Sequence, residues 1–224
     1  MNPFSDSTLV STYAERTAKI VPGLHDLHAM ASILLAEYAP TDARILVLGA
    51  GGGLELKAFA ERQPDWRFDG VDPSAEMLQL ADKILGPLAS RVRLHEGYID
   101  TAPVGPFDAA TCLLTLHFLP QAERLETLQA IHQRLKPGAP LVVAHHSFPN
   151  EGSDKDKWLS RYMAFANAAG GLKEPAQSSV ASIRNRLPAL SPEQDVDLLR
   201  EAGFGQVEMF YCAFTFKGWV AYKT

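Results

Sequence analysis

No apolar run in the sequence approaches the ~20 residues needed to cross a membrane, so no membrane association is expected. Cysteine is scarce, with only Cys112 and Cys212. Two cysteines cannot build a zinc site alone, and no His/Cys cluster has zinc-ligand spacing, so no metal is expected. Both lie in apolar segments that read as strands, which favours a pair of buried, reduced thiols over a disulfide. No cluster of Lys and Arg stands out, and the net charge is −5. That balance weighs against a nucleic-acid acceptor, because phosphate binding draws on a basic face, but it leaves room for a local basic patch. The opening Met1-Asn2-Pro3-Phe4-Ser5-Asp6 has no basic segment followed by an apolar one, so no signal peptide is expected and the cytoplasm is the expected compartment. Repeats, low-complexity segments and linkers are also missing. The whole chain, 1–224, therefore reads as a single domain, and a homodimer is left open.

What is present is alternation. Residues 5–19 read as a helix with Ser5 or Asp6 as its cap. Residues 24–38 place Leu24, Leu27, Met30, Ala31, Leu34 and Leu35 on one helical stripe that Pro40 ends. Apolar strands are then expected at 44–48, 66–71, 91–95, 107–114 and 141–145, with helices at 53–63, 74–85 and 120–135 between them. Continuous apolar strands separated by helices imply an α/β fold, a mostly parallel sheet covered on both faces. Residues 147–190 read as an insertion with one or two helices. A helix at 192–202 and a hairpin of two strands within 206–223 close the chain.

The segment Val47-Leu48-Gly49-Ala50-Gly51-Gly52-Gly53 joins the first strand to the first crossover helix. Glycine there permits a sharp turn and close approach of a ligand to the backbone. The spacing is Gly-x-Gly-x-Gly; a dinucleotide loop would need glycine where Leu54 stands. Asp72 at the tip of the second strand can accept hydrogen bonds from ribose hydroxyls. It can also cap the next helix, a role that Ser74 could fill equally well.

These residues, with Pro73, Met77, Glu96-Gly97, Phe107-Asp108 and Leu135-Lys136-Pro137-Gly138, resemble the class I S-adenosylmethionine (SAM)-dependent methyltransferases over about residues 40–146. The resemblance implies a Rossmann-like seven-stranded sheet with an antiparallel last strand. It also implies that SAM is held by Gly49, Ala50, Gly51, Gly53, Asp72, Pro73, Met77, Gly97, Tyr98, Ile99, Leu113 and His117. Residues 1–40 would form a helical lid in which Tyr13 and Arg16 face the cofactor. In two places the chain departs from the superfamily: Val47 replaces the acid of the first motif, and Tyr98 replaces an Asp that follows the glycine after the third strand. Val21-Pro22-Gly23, Thr115-Leu116-His117-Phe118-Leu119 and Ala202-Gly203-Phe204 resemble the carboxy-SAM-dependent tRNA uridine carboxymethyltransferases. There Leu24 and Leu198 replace a Tyr and the basic residue that would read the extra carboxylate, which implies ordinary SAM.

The expected activity is methyl transfer to a small molecule. The alternatives are tRNA modification and a non-catalytic SAM-binding role. His145 and His146, ending the fifth strand, are the candidate bases, although a backbone-bonded structural role weighs more. Trp158, Tyr162 and Phe165 share a helical stripe that either roofs the substrate or belongs to the core.

Overall fold

The computed structural model describes residues 12–170 and 187–224. Two helices, α1 (Tyr13–Ile20) and α2 (Leu24–Ala36), precede the sheet. Then follow β1 (Arg44–Leu48), α3 (Leu54–Arg62), β2 (Arg67–Asp72), α4 (Ala75–Leu85), β3 (Val92–Glu96), β4 (Ala109–Leu113), α5 (Gln121–Arg134) and β5 (Pro140–His146). The chain closes with α6 (Gly152–Ala168), α7 (Pro192–Glu201), β6 (Phe204–Ala213) and β7 (Phe216–Lys223). The strands form one sheet in the order β3-β2-β1-β4-β5-β7-β6. β1 to β5 are parallel neighbours, and β7 runs antiparallel between β5 and β6. This is the seven-stranded architecture that the alternation and the resemblance imply.

Burial explains the pattern. Every residue of β4 and β5 is buried, as strands covered on both faces must be. One face of the sheet carries Leu27, Leu35, Leu56 and Phe59 from α2 and α3. The other carries Leu128, Ile131, Leu198 and Leu199 from α5 and α7, packed on Trp219.

Several boundaries shift for local reasons. α2 stops at Ala36, ahead of Pro40, whose ring disfavours helical backbone in the residue before it. β4 starts at Ala109 because Asp108 is engaged elsewhere. Its carboxylate accepts from the Arg44 N–H at 2.9 Å and from Lys136 Nζ at 2.5 Å, tying the starts of three strands together. α7 opens with a reciprocal Ser191–Gln194 capping box. Of the two cysteines, Cys112 is buried but Cys212 is exposed on the edge strand β6, which corrects the expectation of two buried thiols. Ser5, Asp6 and residues 171–186 lie outside the described residues.

Candidate functional site

The carboxyl ends of β1, β2 and β4 open onto a cavity of about 910 Å³. Its floor is the turn after β1. The Gly49 and Ala50 N–H groups both donate to the Val71 carbonyl, at 2.8 and 3.0 Å, which folds the loop back onto β2. Glycine is required for contact here. A Cβ on Gly51 would stand 2.6 Å from Asp72 Oδ2, and one on Gly52, at φ +78°, would stand 2.5 Å from the Tyr13 ring.

Asp72 sits where loop and strand meet. Its Oδ2 accepts from the Gly51 N–H and its Oδ1 from the Ser74 N–H, both at 2.9 Å. The helix cap belongs to Ser74, whose hydroxyl accepts from the Met77 N–H at 3.2 Å. So the two roles divide: Ser74 starts α4, and Asp72 pins the glycine loop and keeps its carboxylate at the cavity. Burial raises its pKa above the usual carboxylate value, although the Ser74 and Gly51 N–H groups oppose the shift.

Tyr13 and Thr17 of α1 and Leu24 and His28 of α2 also line the cavity. Burial pushes the Tyr13 phenol up to about 12. Burial, with the charges of His25 and Arg62, takes His28 down to about 4, so it is neutral at pH 7.

Of the residues expected at the site, Tyr13, Gly49, Gly51, Asp72, Pro73, Gly97, Tyr98, Ile99 and Leu113 line this one cavity. Ala50, Gly53, Met77, His117 and Arg16 do not; Met77 is packed beneath the loop, with its Cβ 3.1 Å from where a Gly51 Cβ would lie. Tyr98, which replaces the usual Asp, is 65% exposed.

His145 and His146 are displaced from the site. Both are paired to β7, opposite Lys217 and Phe216, so β5 does not fray into the cavity there. His145 is buried with its Nε2 3.1 Å from Asp195 Oδ1. His146 stacks on Phe216 with centroids 3.9 Å apart, and its Nδ1 bonds Thr215 Oγ1 at 2.9 Å. The sequence favoured histidines bonded to backbone; their ring nitrogens instead meet the side chains of Asp195 and Thr215. His117 is buried beside His146 and accepts its N–H at 3.4 Å. The α6 aromatics divide similarly. Tyr162 is buried against His146 and Phe216, and Trp158 packs on Phe148 and Leu159; neither lines the cavity.

Sequence reasoning missed Glu55. It lies in the first turn of α3 and lines the cavity at 7% exposure, with Oε1 accepting from Thr111 Oγ1 at 2.8 Å. A signal was available: Glu55 shares the buried stripe of α3 with Leu56, Phe59 and Ala60, where a charge is out of place.

The cavity suits an adenosine-bearing ligand: glycine backbone approaches it from below, and a carboxylate stands at the strand tip to receive paired hydroxyls. Residues 46–141 match a family model described as a methyltransferase domain. Two curated relatives are carboxy-S-adenosyl-L-methionine synthases. The one from Campylobacter lari is 22% identical over 97% of this chain and 93% of its own length. The one from Chromohalobacter salexigens is 27% identical over 97% and 82%. Their names make them producers of carboxy-SAM, whereas the resemblance read from the sequence was to its users. Among solved structures, an O-methyltransferase family protein from Burkholderia thailandensis aligns with TM-score 0.70 at 16% identity, covering 99% of this chain and 61% of its own. Human N-acetylserotonin methyltransferase in complex with SAM aligns with TM-score 0.63 at 15% identity, covering 98% and 57%. The chain thus spans less than two thirds of these two structures, and the likeness to them is one of fold.

Proposed function

We propose that this chain is a class I SAM-dependent methyltransferase that transfers the methyl group of ordinary SAM to a small-molecule acceptor within this cavity. The observation that carries the reading is the convergence of the glycine loop, Asp72 and the α1–α2 cover on that single space. When bound, SAM supplies an electrophilic methyl on sulfur, and the residues bind, orient and exclude water. Asp72 would take the ribose hydroxyls. Tyr13 and Leu24 would cover the site as part of the N-terminal lid. Positioning can supply much of the rate for such a displacement, and no proton step is assigned to a side chain.

The lining favours a neutral or cationic acceptor. Asp72, Asp100, Glu123 and Glu126 line the cavity together with Arg134, with His28 neutral. A polyanionic tRNA acceptor fits that surface poorly, and so does a second carboxylate on the cofactor. The names of the curated relatives support a second reading, synthesis of carboxy-SAM, because the likeness spans nearly the whole chain. Competition binding separates them: SAM should bind more tightly than carboxy-SAM, and the reverse order would favour the carboxy-SAM reading.

Asp72→Ala should weaken SAM binding by about 1–3 kcal/mol, roughly ten- to hundredfold in Kd. Calorimetric titration measures it, with a thermal melt to show that the fold survives. Unchanged affinity would remove Asp72 from the site. Incubation with labelled SAM and a cell metabolite extract then identifies the acceptor, and label recovered only in macromolecules would contradict a small one.

A further inference from the structure

The methyl-transfer reading gives Glu55 no contact with the cofactor. Glu55 is a carboxyl group on the wall of a largely apolar space. The groups that bear on it are the Thr111 hydroxyl, which donates to Oε1, and three acids: Asp72 on β2, Tyr13 on α1 and Cys112 on β4. His28, across the cavity on α2, is neutral. Among the described residues none of these is a cation. A buried carboxylate without a cation is costly, and burial, with the nearby Asp72 charge, raises Glu55 to about 8 against the opposing Thr111 bond. Glu55 is therefore protonated at neutral pH.

SAM carries two positive groups close to its ribose, the sulfonium and the α-ammonium. Asp72, the ribose acceptor in this reading, is near enough to Glu55 for its charge to act there, so the positive end of the ligand arrives beside Glu55. Only the ammonium has hydrogens to donate to a carboxylate. We propose that Glu55 accepts the α-ammonium group of SAM and releases its own proton to solvent when that group enters, which makes Glu55 a residue for selecting the methionyl end of the cofactor. The proposal rests on the reading that SAM occupies the cavity.

Titration calorimetry in buffers of different ionisation enthalpy counts the proton. At pH 6.5 both Glu55 and a free α-amino group are almost fully protonated. SAM and S-adenosylhomocysteine, which keeps the ammonium but lacks the sulfonium, should each release close to one proton. Methylthioadenosine, which lacks both, should release none. In Glu55→Gln the release should vanish and SAM affinity should fall tenfold or more, while methylthioadenosine binds as before. SAM binding without proton release, release that persists in Glu55→Gln, or equal release with methylthioadenosine would each overturn the proposal. Release with SAM but not with S-adenosylhomocysteine would move the contact to the sulfonium and overturn the ammonium assignment. The ligand series needs only the wild-type protein. Failure of all three compounds to bind would instead overturn the cofactor reading on which the proposal stands.

Discussion

Arg124→Ala is expected to lower folding stability by about 3–5 kcal/mol, the scale for breaking a fully buried ion pair. Arg124 is 0% exposed on α5, and its Nη1 donates to Asp195 Oδ1 of α7 at 2.5 Å. Its Nη2 donates to the Pro188 carbonyl at 3.1 Å, and His145 of β5 closes on the same carboxylate. Burial alone would raise the Asp195 carboxyl, but His145 and Arg124 outweigh it and hold it below the usual range. Removing the guanidinium leaves Asp195 charged in the interior, with His145 and the Ser147 hydroxyl as the remaining groups that lower its pKa. Replacing both partners, as Arg124→Met with Asp195→Leu, removes the stranded charge, so the double variant should be less destabilised than Arg124→Ala. Urea denaturation measures both. A loss under about 1 kcal/mol for Arg124→Ala would show that the trio is not a dry ion pair.

That trio also marks how far the sequence could be read. The glycine loop, Asp72 and the strand–helix alternation are local patterns, and each found its place because short-range geometry dictates it. Arg124 and Asp195 are different. Each lies on the buried stripe of its own helix, Arg124 with Thr127, Leu128 and Ile131, and Asp195 with Leu198 and Leu199. Periodicity flags both as charges in apolar positions but cannot say that they meet across the fold. His145 and His146 stand at the end of a strand, where an open edge and a paired one look alike in sequence. Only the insertion of β7 beside β5 decides between them. Glu55 was hidden for the same reason, since its meaning depends on Thr111 from a distant strand.

Stability should be greatest near neutral pH and fall on the acid side. His28 and His146 are buried and lowered to about 4 and about 3, and His117 lies well below its usual value. Burial is the leading cause for all three; nearby histidines and cations add to it. A histidine whose folded pKa is lowered binds its proton more readily when unfolded. Its stabilisation is complete above ~6.5 and is lost as pH falls toward the folded value. Glu55 acts the other way: raised to about 8, it is protonated in the folded state, and its contribution is lost as pH rises from ~4.3 toward 8. Between about pH 4.5 and 6 the lowered histidines therefore outnumber the one carboxyl proton, and stability falls with falling pH by about 1–3 kcal/mol per unit. Above about pH 7.5, where unfolded histidine is almost unprotonated, Glu55 sets the slope among these four groups, with the opposite sign. Denaturation at pH 5, 6, 7 and 8 gives the profile. A flat curve from 5 to 6 would mean that the histidines are not buried neutral groups.

A crystal structure with S-adenosylhomocysteine tests most directly whether SAM lies in the cavity with its ribose on Asp72. Both ribose hydroxyls are expected within hydrogen-bond distance of the Asp72 carboxylate, with the amino-acid end over the Gly49–Gly53 loop. Well-defined ligand density elsewhere on the molecule, or ribose hydroxyls turned away from Asp72, would contradict it.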